Sequence, residues 1–529
     1  MKKILAVILS TALLLTTLGG CGKNGKTVKL DPKNPVSINI WHYYNGAQKN
    51  AFDELIKEFN ETLGVEQGIV VEAVNQGDVT QLTQSIIDSA NNKVGTEPIP
   101  NVFAGYADTA LQIDKLGLVA DLEEYLTEEE INAYFPSYIQ EGRLGAGDAL
   151  KIFPTAKTTE IFMLNKTDWD KFAKATGASL DKLKSIEGLV EVSKQYYEWT
   201  DGLTPDVKND GKAFFGRDAM ANYMIIGCRQ LGQEIFSVSG DQVKFQTDKT
   251  VLRKLWDNYY VPYINGYFTA NGKFRSDDAK VGDIIALVGS STTATYFPQE
   301  VANADGTSYP IETLVMEAPT FASGEKYAVQ QGAGMVVTKS TPEKEYASTV
   351  FLKWFTEAER NLSFSISSGY LPVKIEANTN DKLEAAMQKM EETGVSTSLK
   401  ESLRISMQTV NSSKLYTNRA FVGGTKARSV LEYALSDQAK ADKAEIDKLI
   451  KAGKSREDAV SRYNTDQNFD KWYASLQQKL RDSIVTASDA TSKDEASSPS
   501  KKSVSSTDSH VSAANADDKT SAGSAVSGK

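Results

Sequence analysis

Residues 36–60 read "VSINIWHYYNGAQKNAFDELIKEFN" and carry the signals of a strand, a turn and a helix in that order. Apolar and polar residues alternate over Val36–Ile40, as they do in a β-strand with one buried face. Asn45 and Gly46 then break the run. Over residues 50–63 the apolar residues recur with the spacing of one helix face. The stretch therefore predicts a strand followed by an amphipathic helix.

The same strand–helix order repeats downstream of this stretch. Residues 68–77 and 101–106 are the predicted strands, and residues 79–92 and 110–122 are the predicted helices. A strand–helix–strand order is typical of a parallel sheet in an α/β fold. Ligands of such folds bind beyond the carboxyl ends of the strands. The aromatic and polar residues at these strand ends are therefore expected to face one crevice.

The first residues, "MKKILAVILSTALLLTTLGGCGKNGK", have the layout of a secretory signal. Two lysines precede an apolar run that is shorter than the roughly 20 residues a membrane-spanning helix needs. The small residues before Cys21 resemble the lipobox of bacterial lipoproteins, so we predict a signal peptide over residues 1–20 and a lipid anchor on Cys21. An ordinary secretory signal with a chance cysteine is the alternative. With Cys21 lipidated, Cys228 has no partner for an intramolecular disulfide.

Composition limits the class of partner and the number of domains. The 529-residue chain has a formal net charge of −10, and no nucleic acid is expected as a partner because phosphate backbones require clustered lysine and arginine. Residues 36–485 are too many for one compact core and suggest two lobes. Residues 21–35 have the composition of a flexible leash. Residues 486–529 are rich in Ser, Ala, Lys and Asp, and we predict that they are disordered because they offer little apolar area to bury.

Several segments in a fixed order carry a family resemblance. They read "IWHYYNGAQKNAFDELIKEFN", "VFAGYADTALQIDKLGLVADL", "FPTAKTTEIFMLNK", "GDIIALVGSS", "QGAGMVVTKSTPEKEYASTVFLKWFT" and "SGYLPVK". Together with the lipobox, this series resembles the bacterial extracellular solute-binding lipoproteins of the carbohydrate ABC-importer type, the family 1 solute-binding proteins. The resemblance implies an α/β, two-lobe periplasmic-binding-protein-like fold with crossing hinge strands and a ligand cleft between the lobes.

The resemblance also implies boundaries and a function. Residues 36–158 plus 313–343 would form the N-terminal lobe, and residues 159–312 plus 344–485 the C-terminal lobe. The protein would be a monomeric binding subunit, anchored at the outer face of the cytoplasmic membrane, that delivers a sugar or oligosaccharide to the permease subunits of an ABC importer. It would not be an enzyme, and no cofactor or metal is expected. The alternatives are a binder of glycerol phosphate or another polyol phosphate, and a surface glycoside hydrolase, which would need paired carboxylates.

The candidate ligand contacts are rings and hydrogen-bonding groups at strand ends and in the loops that match the family's pocket. Rings can stack on the CH faces of sugars, and carboxylates accept charge-assisted hydrogen bonds from hydroxyls. Core packing is the alternative for the rings, and helix capping is the alternative for Asp78 and Asp108. His42 is expected to form hydrogen bonds rather than to bind a metal. The predicted contacts are Trp41, Tyr43, Tyr44, Asn45, Asp78, Tyr106, Asp108, Thr158, Glu160, Arg217, Asp218, Asn222, Ser290, Ser291, Gln331, Gly332, Tyr370 and Arg419.

Overall fold

The structure is a computed structural model that describes residues 25–145, 147–240, 242–389 and 396–495. The predicted signal peptide, the predicted lipidation site Cys21 and residues 496–529 of the predicted tail lie outside the described residues. Within the described part of the chain, no helix is long and apolar enough to cross a membrane.

The described strands and helices are numbered here in chain order. The strands are β1 (Val36–His42), β2 (Ile69–Asn75), β3 (Val102–Gly105), β4 (Arg143–Leu144), β5 (Ala149–Leu150), β6 (Ile152–Phe153), β7 (Glu160–Asn165), β8 (Phe215–Arg217), β9 (Phe236–Ser239), β10 (Gln242–Phe245), β11 (Ala286–Ser290), β12 (Glu300–Ala302), β13 (Ser308–Pro310), β14 (Thr313–Glu317), β15 (Tyr327–Val329), β16 (Gly334–Val337) and β17 (Lys414–Tyr416). The helices are α1 (Gly46–Glu61), α2 (Leu63–Gln67), α3 (Val79–Ala90), α4 (Ala107–Lys115), α5 (Glu128–Asn132), α6 (Pro136–Gly142), α7 (Lys166–Thr176), α8 (Ile186–Asp201), α9 (Met220–Gln230), α10 (Lys249–Ile264), α11 (Arg275–Lys280), α12 (Pro342–Phe355), α13 (Ala358–Ser368), α14 (Asn380–Lys389), α15 (Thr397–Ser412), α16 (Gly424–Lys451), α17 (Arg456–Ser461) and α18 (Asp466–Glu495).

The first lobe is built on a five-stranded sheet with the strand order β2-β1-β3-β16-β6. Strand β1 pairs in parallel with both β2 and β3, which confirms the parallel α/β start predicted from the sequence. Strand β16 returns from far along the chain and runs antiparallel to β3 and β6. The carboxyl ends of β1, β2 and β3 therefore lie side by side at one edge of this sheet.

The second lobe is built on a four-stranded sheet with the order β14-β7-β11-β8. Every residue of its central strand β7 is buried. Successive side chains point to opposite faces of a strand. Phe162 and Leu164 accordingly pack in one apolar cluster, and Ile161 and Met163 pack in another. An uninterrupted apolar strand is expected where both faces of a sheet are covered.

Strand pairing places β14, and ring packing places α12, in the lobe opposite to the one predicted. Strand β14 was expected in the first lobe, but it pairs antiparallel with β7 in the second sheet. Helix α12 was expected in the second lobe, but it packs against the first. The rings of Phe351 and Phe59 meet edge to face at 5.1 Å, and those of Phe355 and Phe52 at 5.7 Å. The apolar face of α12 thus completes the core of the first lobe.

Three segments of the chain pass between the lobes side by side. The N–H of Lys157 donates to the carbonyl of Leu371 at 3.1 Å, and the N–H of Thr158 donates to the carbonyl of Gln331 at 2.8 Å. A side chain at Gly332 would meet the carbonyl oxygen of Ala156 at 2.8 Å, and its φ of +102° also favours glycine. These bonds bind the crossing segments into a narrow band between the two sheets.

The last described helix, α18, reaches Glu495. The sequence predicted that order would end at residue 485. Residues 486–495, assigned above to the disordered tail, therefore continue a helix.

Burial of the His42 imidazole predicts that the stability of the first lobe depends on pH. Its Nδ1 accepts a hydrogen bond from the backbone N–H of Tyr44 at 3.1 Å, and burial lowers the pKa of His42 to about 4. In the unfolded chain the ordinary pKa is about 6.5. Between pH 6.5 and pH 4, His42 is therefore protonated in the unfolded chain but neutral in the folded protein. The free energy of unfolding consequently falls as the pH decreases through this range.

We expect the loss from this residue to reach about 3 kcal/mol at pH 4. His42→Gln keeps an acceptor for Tyr44 and does not titrate. Urea unfolding of both proteins from pH 7 to pH 4 would measure the difference. Parallel curves for the two proteins would contradict the prediction.

Candidate functional site

A cavity of about 300 Å³ lies between the two lobes at the carboxyl ends of the first-lobe strands. This volume is at the lower end of the range of about 300–1,000 Å³ that is common for small-molecule sites. Its walls come from both lobes and from two further segments, residues 329–331 and residues 416–418. The lining residues are Val79, Thr83, Tyr106, Ala107, Asp108, Thr109 and Glu141 from the first lobe, Asn222, Ile225, Thr425 and Arg428 from the second, and Val329, Gln330, Gln331, Tyr416, Thr417 and Asn418 from the two further segments.

The amide of Asn222 is the centre of the second-lobe wall. Its Nδ2 donates to Glu160 Oε1 at 3.0 Å and to Gln331 Oε1 at 2.8 Å, and its Oδ1 accepts from Arg428 Nη2 at 2.7 Å. Glu160 in turn accepts from Arg217 Nη2 at 2.7 Å. The buried amide thus has its hydrogen bonds satisfied, and it fixes one edge of the Arg428 guanidinium against the cavity.

Helix α16 positions Arg428 through a second contact with α9. Glu432, one turn further along α16, accepts hydrogen bonds from the N–H groups of Met220 and Ala221 at 3.1 and 2.8 Å. These are the first N–H groups of α9, which have no partner within the helix and favour a negative charge. The two helices are therefore locked together at the place where both contribute to the wall.

A buried ion pair supports the opposite side of the cavity. Lys157 Nζ donates to Glu141 Oε2 and to the carbonyl of Gly332, both at 2.8 Å. Glu141 also accepts from the side chain of Gln330. The Lys157 and Glu141 side chains are only 3% and 11% exposed. Glu141 is thus anchored to the crossing segments on one side while it lines the cavity on the other.

Asp108 brings a second carboxylate to the first-lobe wall. Its Oδ1 accepts from the backbone N–H of Phe421 at 3.2 Å, so that it bonds directly to the second lobe. Burial raises the pKa of Asp108 to about 6, and the N–H of Phe421 and the charge of Arg428 oppose that rise. The cavity therefore holds two carboxyl groups and one arginine, together with several amides and hydroxyls.

The structure brings part of the predicted set together. Tyr106, Asp108, Asn222 and Gln331 line the cavity. Glu160 accepts a hydrogen bond from Asn222 behind the cavity wall, and Arg217 donates in turn to Glu160.

Other predicted residues serve the crossing segments or neighbouring elements. Thr158 and Gly332 lie in the crossing segments. Asp218 accepts from the N–H of Arg275 at 3.1 Å, and burial raises its pKa to about 6. Ser290 caps the short 3₁₀ helix Ser291–Thr295.

Three predicted rings lie in the core of the first lobe instead of lining the cavity. Trp41, Tyr44 and Tyr370 are 3%, 2% and 6% exposed. The ring of Tyr44 lies 5.6 Å from that of Phe364 and 6.1 Å from that of Tyr370. Helix α13 and the turn that follows it cover the end of β1, so these rings find apolar neighbours there. Tyr43 is half-buried, and its hydroxyl bonds to Tyr370.

Several polar candidates have a local partner that accounts for them. Asp78 forms a capping box at the start of α3, with both hydrogen bonds to Gln81 at 2.9 Å. This is the helix-capping role that the sequence offered as the alternative to ligand binding. Asn45 donates to the carbonyl of Tyr43 at 2.9 Å. Ser291 Oγ donates to the carbonyl of Gly369 at 2.8 Å. Arg419 is half-exposed and pairs with Asp148 at 2.7 Å, outside the 300 Å³ cavity.

Sequence reasoning missed Arg428, Glu141, Tyr416 and Thr425 as lining residues. The turn "FVGGTKARSV" that starts α16 marks a helix N-terminus at which Thr425 and Arg428 share one face. Nothing local distinguishes Glu141, whose partner Lys157 is close only in the folded chain. Among the described residues, no group of three or more His, Cys, Asp or Glu side chains is arranged to hold a metal ion.

Comparison with known proteins places this architecture in a family. A family model described as "Bacterial extracellular solute-binding protein" matches residues 54–391, which is more than half of the chain. No match was found among curated proteins.

Solved structures share the fold at low sequence identity. The cyclic α-maltosyl-1,6-maltose binding protein from Arthrobacter globiformis has 16% identity and a TM-score of 0.60, and the match covers 85% of this chain and 99% of that one. UgpB from Mycobacterium tuberculosis in complex with glycerophosphocholine has 15% identity and a TM-score of 0.58, covering 85% and 99%. The maltotriose-bound MalE domain from Bdellovibrio bacteriovorus has 14% identity and a TM-score of 0.56, covering 84% and 100%.

Proposed function

The chain belongs to the bacterial extracellular solute-binding protein family, and from that premise we propose that it captures a neutral sugar or short oligosaccharide between its lobes and delivers it to an ABC importer. The cavity between the lobes carries this proposal. Its size suits a small solute, and its lining of amides, hydroxyls and carboxylates suits hydroxyl groups. The similar structures named above are proteins bound to, or named for, sugars or glycerophosphocholine.

The proposed mechanism is closure of the two lobes on the solute. In this mechanism the three crossing segments bend and each lobe moves as a unit. Strand pairing gives β14 to the second lobe, and ring packing gives α12 to the first. Residues on both walls then meet the solute together, Asp108 and Tyr106 from one lobe and Asn222 and Arg428 from the other.

The proposal extends to the location of the protein. A lipid on Cys21 would hold the chain at the outer face of the cytoplasmic membrane, beside the permease subunits. We expect the anchored chain to be a monomer. Multiple acyl chains anchor stably because each buried methylene adds about 0.8 kcal/mol. Mass analysis of the mature N-terminal peptide would test this, and an unmodified Cys21 would exclude it.

A thermal-shift screen tests the choice of solute directly. Mono-, di- and trisaccharides, polyol phosphates and glycerophosphocholine would be added singly to the purified chain. A solute at 100 times its Kd should add about 2.7 kcal/mol to the stability of the folded state. A reducing-end assay on any oligosaccharide that binds separates binding from hydrolysis. Release of new reducing ends would favour a glycoside hydrolase.

Polyol phosphate is the second candidate, because Arg428 is a guanidinium in the cavity wall and guanidinium groups bind phosphate through paired hydrogen bonds. Two carboxylates in the same cavity oppose an anion. The balance of one arginine against Asp108 and Glu141 therefore favours the neutral solute.

Arg428→Gln distinguishes the two candidates. For a neutral sugar we expect roughly tenfold weaker binding, the effect of losing one charged hydrogen bond, with little dependence on salt. For a phosphate ester the loss should exceed a hundredfold, and the wild-type affinity should fall as salt is raised. Arg419→Gln is the matched control, because Arg419 lies outside the cavity and should change neither value. Calorimetry at two salt concentrations measures both quantities.

A further inference from the structure

Helix α16 begins without a cap of its own. Gly423 occupies the N-cap position with a φ of +91°. Because glycine has no side chain, it cannot cap the first turn of the helix. A carboxylate that lies against this N-terminus belongs to the other lobe.

This carboxylate is that of Asp108, in the first turn of α4. Besides its bond to the N–H of Phe421, its carboxylate lies directly against Gly424. A Cβ at Gly424 would lie 2.3 Å from Asp108 Oδ1 and 2.6 Å from its Cγ, closer than nonbonded atoms approach. The Asp108 side chain therefore occupies the space that a side chain at Gly424, the first residue of α16, would need.

The two elements are fixed in separate cores. Ala110, Leu111 and Ile113 hold α4 in the first-lobe core, whereas Ala427 and Leu431 hold α16 in the second-lobe core. Opening the cleft must separate Asp108 from Gly424. The contact is therefore lost when the lobes separate, and it stabilises the closed arrangement.

We propose that Asp108 is a positioning residue that latches the first lobe to the N-terminus of α16, and that the absence of a side chain at Gly424 sets how closely the lobes can approach. The inference rests on the lobe movement of the proposed function. Asp108 would then have a second role besides lining the cavity, which is to hold the lobes together without contacting the solute.

Charge around the latch predicts how it responds to acid. Arg428 on α16 and Glu141 on α6 face the same cavity as Asp108, and Arg419 and Asp148 are bonded to each other near its rim. Burial raises the pKa of Asp108 to about 6, whereas an open cleft would return it to about 4. Because burial outweighs the N–H of Phe421 and the charge of Arg428, the closed form takes up a proton, and closure should strengthen by roughly fiftyfold as the pH falls from 7 to 4.

Distances between spin labels test the latch in the full chain. The labels are attached to p-acetylphenylalanine at positions 57 and 194, one in each lobe, so that the cysteines are untouched. We expect Gly424→Ala to shift most of the population to a longer distance, and the same change in an Asp108→Ala background to have no further effect. Asp108→Asn, which keeps an acceptor, should remain closed at every pH, and Asp108→Leu should close about tenfold less than Asp108→Asn.

Asp114→Ala is the matched control. Asp114 is on the same helix but pairs with Lys151 within the first lobe, so its loss should leave the distances unchanged. An equal shift by Gly424→Ala with and without Asp108 would overturn the latch, as would identical distances in the Asn and Leu variants. If solutes still bind in the thermal-shift screen when either result is found, the latch alone fails. If no solute binds and the Gly424→Ala shift depends on Asp108, the latch holds and the proposed solute class fails.

Discussion

Replacing Trp41 by alanine should lower the free energy of unfolding by about 3–5 kcal/mol, the usual cost of removing a large ring from a packed core. The ring is 3% exposed and lies in the same apolar cluster as Ile40 and Phe103. Urea unfolding would measure the loss. The folded fraction should bind its solute with nearly wild-type affinity, because the indole does not line the cavity.

Tyr106→Ala is the contrasting variant. Tyr106 is 40% exposed and lines the cavity, so its removal should leave stability almost unchanged and weaken binding. Pairs of aromatic rings are worth about 0.5–1.5 kcal/mol beyond the buried area, and we expect a loss of binding free energy of this order. A stable Trp41→Ala protein that has lost binding would mean that the aromatic stretch serves the site, as the sequence alone suggested.

This pair of variants shows where sequence reasoning reached its limit. The strand β1 and helix α1 were predictable because their periodicity is local and strong. The orientation of the rings at the end of β1 was not, since it depends on α13 and Tyr370, which lie more than three hundred residues further along the chain. The residues that could cover those rings could not be identified from the stretch itself.

The site shows the same division. Asn222 and Gln331 were predicted from loops that match the family, and both line the cavity. Arg428 was not predicted, because its place in the cavity wall depends on a hydrogen bond to Asn222, a residue 206 positions away. Lobe membership failed for the same reason at α12, whose apolar face has the same pattern whichever sheet it covers. Contacts between distant segments, rather than local propensity, decide these cases.

The largest effect expected at the crossing segments comes from Lys157→Met. The change removes the only cation bonded to Glu141 among the described residues and leaves that carboxylate nearly buried beside Gln330. Breaking a buried ion pair from one side typically costs about 3–5 kcal/mol, because the remaining charge has lost both water and its partner. The bond from Lys157 to the carbonyl of Gly332 is lost as well.

An exposed pair provides the control for the charge itself. Lys93 and Asp88 lie 3.0 Å apart, but the lysine side chain is 64% exposed. Lys93→Met should therefore cost less than about 1 kcal/mol, as exposed ion pairs do. A similar loss in both variants would indicate that burial is not what makes the Lys157 pair matter.

The double variant Lys157→Met with Glu141→Gln separates the charge from the packing. Glutamine cannot be left as an unpaired charge, and it can still accept from Gln330, so more than half of the lost stability should return. Binding should not return to the same extent, since Glu141 also lines the cavity and its carboxylate would no longer accept charge-assisted hydrogen bonds from the solute. Urea unfolding and calorimetry on the four proteins of this cycle measure the two recoveries separately. Full recovery of both would show that Glu141 serves the crossing segments alone, whereas recovery of stability without binding assigns the same carboxylate to the hinge and to the solute.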